Sequence, residues 1–146
     1  MKHGINPIIC LPAVMGFFFF NQNSTTVHTM KNMPEWSYHD RLFRSVANST
    51  NGEVSDQTTF HYRQFGNVIS ATYEGGPIKE GNLLGTVDIE GKIRMRYQHW
   101  NEDNEFRAGI CTSTPELLPN GKIRLHERWE WTNGVSGSGE SVIEEI

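Results

Sequence analysis

Cysteine is scarce. Cys10 and Cys111 are the only two in 146 residues and make no CxxC spacing, so neither a disulfide framework nor a cysteine-held zinc is encoded. We read both as free thiols. Positive charge is not in excess either: 13 Lys and Arg stand against 17 Asp and Glu, a net charge of −4. Nothing there would grip a phosphate backbone, which excludes nucleic acid as a partner. The longest apolar run, Ile8 to Phe20, is broken by Pro12 and Gly16 and falls short of the roughly 20 residues that cross a bilayer. No stable membrane span is expected. No GxGxxG and no P-loop motif occurs, so no nucleotide has a seat and no cofactor is expected. Nor do any two histidines share a ligand spacing, so no metal is expected; His61 and His126 alternate with charged neighbours and are placed on the solvent side. An i, i+3, i+4 apolar pattern never runs for three turns, so helices have no basis here.

What is present begins with an N-terminal segment unlike the rest. MKHGINPIICLPAVMGFFFF has the lysine and apolar stretch of a secretory signal, but NQNSTT follows where a small-x-small cleavage site would stand. Residues 1–35 are therefore read as an extension: a weak signal or anchor, a disordered tail, or sequence ahead of the true start, with Met30 and Met33 as internal candidates. A cytoplasmic location is expected, with export the alternative if residues 1–20 act as a signal. Residues 36–146 are read as one domain, enough chain for a single core.

From Leu42 onward, period-2 alternation recurs in RLFRSVA, TTFHYRQ, VISATYE, NLLGTVD, KIRMRYQHW, EFRAGICTS, KIRLHERWEWT and ESVIEEI. Gly- and Asn-bearing turns separate these runs, such as Asn51-Gly52, Gly75-Gly76-Pro77 and Asn120-Gly121, where positive φ is tolerated. The pattern predicts an all-β antiparallel up-and-down meander of eight or nine strands. At this size the sheet hides its edges by closing into a barrel with alternate side chains inward. Apolar content assigns inward Phe60 and Tyr62; Ile69, Ala71 and Tyr73; Leu83, Gly85 and Val87; Ile93, Met95, Tyr97 and His99; Phe106, Ala108 and Ile110; and Ile123, Leu125, Glu127, Trp129 and Trp131.

Glu127 stands out, a carboxylate in the middle of a strand's apolar face. A lone buried carboxylate costs several kcal/mol unless it is paired or protonated. It either satisfies an internal network, paired with His99 or an arginine, or belongs with Tyr62, Tyr73, Tyr97, His99 and Trp129 to a mostly apolar pocket with a few polar groups, as ligand sites are built. The expected function is binding of a small, partly apolar molecule inside the barrel. Two other classes stay open: a barrel enzyme using His99 and Glu127 for acid–base work, and an interaction module with a filled core. Ser113 and Cys111 have no base beside them in sequence, so no nucleophile triad is read. Arg94 and Arg96 are assigned to cross-strand pairing with Glu130 or Asp88. The composition leaves a homo-oligomer open.

FRSVANSTNGEVSDQTTFHYRQFGNVISATYEGG, GTVDIEGKIRMRYQHW and STPELLPNGKIRLHERWEWT resemble a small bacterial family over about residues 41–146. Its members often carry the label N-acetylglutamate synthase, which implies acetyl transfer from acetyl-CoA to glutamate. Such acetyltransferases have a Gly-rich turn opening a helix, a pattern this chain does not show, and the family brings no catalytic residues to carry over. A second resemblance is of rhythm: GNVISATYEGG, then LLGTVDIEGKIRMRYQHW, then KIRLHERWEW is similar to the calycin superfamily of lipocalins, fatty-acid-binding proteins and avidins. It implies a calycin-like barrel with a ligand in its mouth.

Overall fold

The computed structural model describes residues 36–146. The expectations for residues 1–35 and Cys10, and the choice between cytoplasm and export that turns on them, lie outside the described residues. Eight strands run in order: β1 Arg41–Asn48, β2 Thr59–Phe65, β3 Val68–Gly75, β4 Ile78–Val87, β5 Ile93–Asn101, β6 Phe106–Leu117, β7 Ile123–Trp131 and β8 Ser138–Glu145. Each pairs antiparallel with the next, and β8 returns to pair with β1, giving a closed up-and-down barrel. No helix occurs among the described residues.

The turns form where the sequence supplies residues that tolerate positive φ, as at Gly66 and Gly91 with φ of 60° and 81°. Register shifts at Ser45/Ala47 in β1, Tyr73/Gly75 in β3 and Ile78/Glu80 in β4 bend the strands, as bulges do where a sheet must curl on itself. The seam between first and last strands is tied by Arg41, whose Nη1 donates to both carboxylate oxygens of Glu145 at 2.7 and 2.9 Å.

One face assignment is corrected. Phe106, Ala108 and Ile110 point outward or lie at the wall, and β6 turns Gly109, Cys111 and Ser113 inward. Apolar content misleads here because this strand carries apolar residues on both parities, and a slip of one residue inverts every side chain. The register sets Gly109 opposite Tyr97. A Cβ at Gly109 would lie 2.3 Å from Tyr97 Oη, so the inward glycine makes room for that ring. Outside, Phe106 packs against Trp100 with ring centroids 5.2 Å apart.

The two ends of the barrel differ. At one end Tyr38, from the segment before β1, joins Phe43 and Tyr62 in an aromatic plug, with centroids 5.1 to 6.5 Å apart. Tyr38 Oη donates to the Gly91 carbonyl at 2.6 Å, locking the segment to the β4–β5 turn. Ile69, Ile93, Leu125 and Ile143 complete a dry layer with no solvent exposure. At the other end, the loop joining β1 to β2 folds toward the interior, and a cup remains.

Candidate ligand site

The cup is lined by Phe60 of β2, Tyr73 of β3, Leu83 of β4, Met95, Tyr97 and His99 of β5, Cys111 of β6, Glu127, Trp129 and Trp131 of β7, Ser141 of β8, and Asn48, Glu53 and Val54 from β1 and its following loop. Of the expected site residues, Tyr73, Tyr97, His99, Glu127 and Trp129 therefore line the same cup. Tyr62 does not join them. Its ring belongs to the plug, and its hydroxyl is buried without a hydrogen-bond partner among the described residues; burial pushes its pKa well above the usual tyrosine value. The solvent placement of His126 agrees with its exposed side chain, which bonds Glu116 at 2.7 Å. Arg94 reaches Asp88 at 3.4 Å, one of the two partners expected.

Glu127 lies on a cross-strand row, with Ser113 opposite it on β6 and Ser141 opposite it on β8. Ser113 Oγ donates to Oε1 at 3.1 Å and Ser141 Oγ to Oε2 at 2.7 Å. Its partners are these serines and not His99 or an arginine. The reason is register: His99 faces Arg107, while Glu127 shares a row with Ser113 and Ile93, deeper along the barrel. Burial raises the Glu127 pKa, and the two serine hydrogen bonds oppose that rise. No cation pairs with it among the described residues.

His99 occupies the rim in a separate network. Its Nε2 lies 2.5 Å from Glu53 Oε2 and its Nδ1 3.0 Å from Tyr73 Oη. Burial lowers the His99 pKa, with Glu53 opposing. In the neutral ring favoured by that burial, Nε2–H donates to Glu53 and Nδ1 accepts from the Tyr73 hydroxyl, whose one proton is shared with the Gln98 carbonyl at 3.1 Å. Glu53 is held further by Asn101 Nδ2 at 3.0 Å and Arg107 Nε at 3.2 Å. The loop carrying Glu53 is thus fastened across the rim, reinforced by Asn48 Nδ2 donating to the Val54 carbonyl at 2.7 Å.

Between floor and rim the wall is aromatic. Phe60 and Tyr73 stack at 5.0 Å, Tyr73 meets His99 at 5.7 Å, His99 meets Trp131 at 6.0 Å, and Trp131 meets Tyr97 at 5.7 Å and Trp129 at 5.2 Å. The cavity volume is about 50 Å³, room for a few water-sized groups, where a drug-sized ligand needs roughly 300–1,000 Å³.

The alternation could not reveal Glu53, Asn48 or the pairing of Glu127 with serines. Glu53 sits in a loop whose path no periodicity fixes, and the serines came into view only once the register of β6 was known. Ser113 has an acidic partner and Cys111 is a buried free thiol 3.9 Å from Ser113 Oγ. Neither forms a hydrogen bond with a histidine among the described residues, and no metal-binding cluster occurs there.

A family model described as avidin-like protein matches residues 36–146. No curated protein and no solved structure matches the chain significantly.

Proposed function

The chain belongs to the avidin-like family, and from that premise we propose that it binds a small, partly apolar molecule in the barrel interior. The label N-acetylglutamate synthase gains no support from this membership. The observation that carries the reading is Glu127, a buried carboxyl with no cation beside it among the described residues, held by two serines and facing an aromatic cup. In a packed interior an apolar residue of similar volume would avoid the desolvation cost this group carries. In a ligand site it is one of the few polar groups that fix orientation. The apolar part of the ligand contacts Tyr73, Tyr97 and Trp129, and His99 stands at the entrance.

The small volume sets the size. A compact head fits as the cup stands, and a larger body needs the Glu53 loop to lift from His99 and Arg107. The same volume also favours a second reading, the filled core, in which Ser113 and Ser141 simply satisfy Glu127. Native mass spectrometry of the full chain, gently purified and then denatured, separates them. Ligand binding predicts a small mass that co-purifies and is lost on denaturation, or a metabolite that raises Tm. A bare mass with no metabolite-induced shift in Tm would support the filled core.

A further inference from the structure

We propose that the cup selects a small organic cation, a molecule with a protonated amine head that sits against Glu127. This rests on the reading that the cup binds a ligand, and it adds the ligand's charge.

The polar groups at depth are acceptors without a cation. Each Glu127 oxygen takes one hydrogen bond from a serine, while a carboxylate oxygen offers two lone pairs, so sites for further N–H donors remain. Asn48, also on the wall, has its Oδ1 buried with no partner among the described residues. Its orientation is set by Nδ2 donating to the Val54 carbonyl. Thus Glu127 keeps lone pairs beyond its two serine bonds, and Asn48 Oδ1 is a second acceptor, without a donor among the described residues. The basic group at the rim is already committed: Arg107 reaches Glu53 at 3.2 Å and Glu105 at 2.6 Å. An anionic ligand would find no cation to pair with among the described residues and would be repelled wherever Glu127 is ionised.

The wall suits the same ligand. Trp129, Trp131, Tyr97 and Tyr73 present aromatic rings around the space above Glu127, and such rings attract a desolvated cation placed over their faces. An ammonium head is also small enough for a volume of about 50 Å³, with its hydrocarbon tail left toward the mouth.

Binding is then coupled to a proton. Tyr73 of β3, Tyr97 of β5 and Cys111 of β6 line the cup with Glu127, Tyr62 of β2 lies in the plug and couples to it electrostatically, and His99, Glu53 and Arg107 stand at the rim. None places a positive charge on Glu127, so burial favours its acid form in the empty cup. A bound cation favours the ionised form instead, so wherever the empty cup holds the proton, binding releases it. Affinity therefore rises with pH until the amine itself loses its proton.

The test uses the full chain with n-butylamine, 1-butanol and butyrate at millimolar concentration, followed by the indole NMR signals and fluorescence of Trp129 and Trp131. The expected result is that the amine binds at least tenfold more tightly than the other two. It should weaken at least tenfold in Glu127→Gln, which keeps the shape, with one serine donating to the amide oxygen and the other turning to accept from the amide nitrogen. Calorimetry of the amine in two buffers of different ionisation enthalpy should show proton release. Alcohol or butyrate binding as tightly as the amine, or amine binding indifferent to Glu127→Gln, would overturn the cation while leaving the cup as a ligand site. If no probe perturbs the indoles and the native mass is bare, the cation and the ligand reading fall together. The three-probe comparison on the unaltered chain stands even where the variant does not fold.

Discussion

Glu127 in the cup and Phe43 in the plug are both buried, yet one is ionisable and the other is not, and substitution separates them. Phe43 has no solvent exposure and packs in the plug. Phe43→Ala should cost about 3–5 kcal/mol, the usual loss for a buried aromatic, read from denaturant unfolding. Glu127 behaves otherwise because burial raises its pKa. From the ordinary glutamate range near about 4.3 up through its raised folded value, the folded chain keeps a proton that the unfolded chain releases. Its contribution to stability therefore falls as pH rises across that window. Glu127→Gln removes this term, so the variant should gain on the parent as pH rises through the window and hold that gain above it. Unfolding curves at several pH values measure the gap; a pH-independent gap would show that Glu127 titrates alike in both states. His99 has the reverse sign. Its folded pKa lies below the ordinary 6.5, so its share of stability is present above that value and is lost as pH falls toward the folded one. An inward Glu127 was legible from alternation alone, because the apolar residues two positions away on each side fix its face. Its serine partners were not, because partners depend on register.

Strands were read well where one parity is clearly apolar. In β7, Ile123, Leu125 and Trp129 alternate with charged residues and leave no choice of face. In β6 both parities carry apolar side chains, and the choice falls to pairing: Gly109 must lie opposite Tyr97 for that ring to enter the barrel. Gly109→Ala tests this. Its Cβ would lie 2.3 Å from Tyr97 Oη and 2.4 Å from the Glu130 carbonyl oxygen, and the second neighbour is backbone that cannot rotate aside. A loss of about 1–3 kcal/mol is expected, typical of overpacking. Displacement of Tyr97 should also alter the fluorescence of Trp131, its neighbour at 5.7 Å. The loop between β1 and β2 marks the other limit of the sequence. Its Glu53 reaches His99, 46 residues away in the chain, a distance no local pattern spans.

At the scale of the whole molecule, closure is the decisive event. Pairing of β8 with both β7 and β1 removes the two free edges that an open meander would expose. It also brings Ser141 to Glu127 and Ile143 to the dry layer. Deleting residues 138–146 should therefore abolish cooperative unfolding, with loss of dispersion in the amide NMR spectrum; a truncated chain that still unfolds sharply would show that seven strands suffice. The amino-acid sequence by itself determined the strands, their turns, the all-β class and the inward face of Glu127, because a period of two and turn chemistry are local properties. Only the tertiary structure decided the face of β6, the serine cradle of Glu127 and the rim network of Glu53, His99 and Tyr73. These depend on which residues are set opposite one another when the sheet closes, and that register is settled by the fit of side chains from distant parts of the chain.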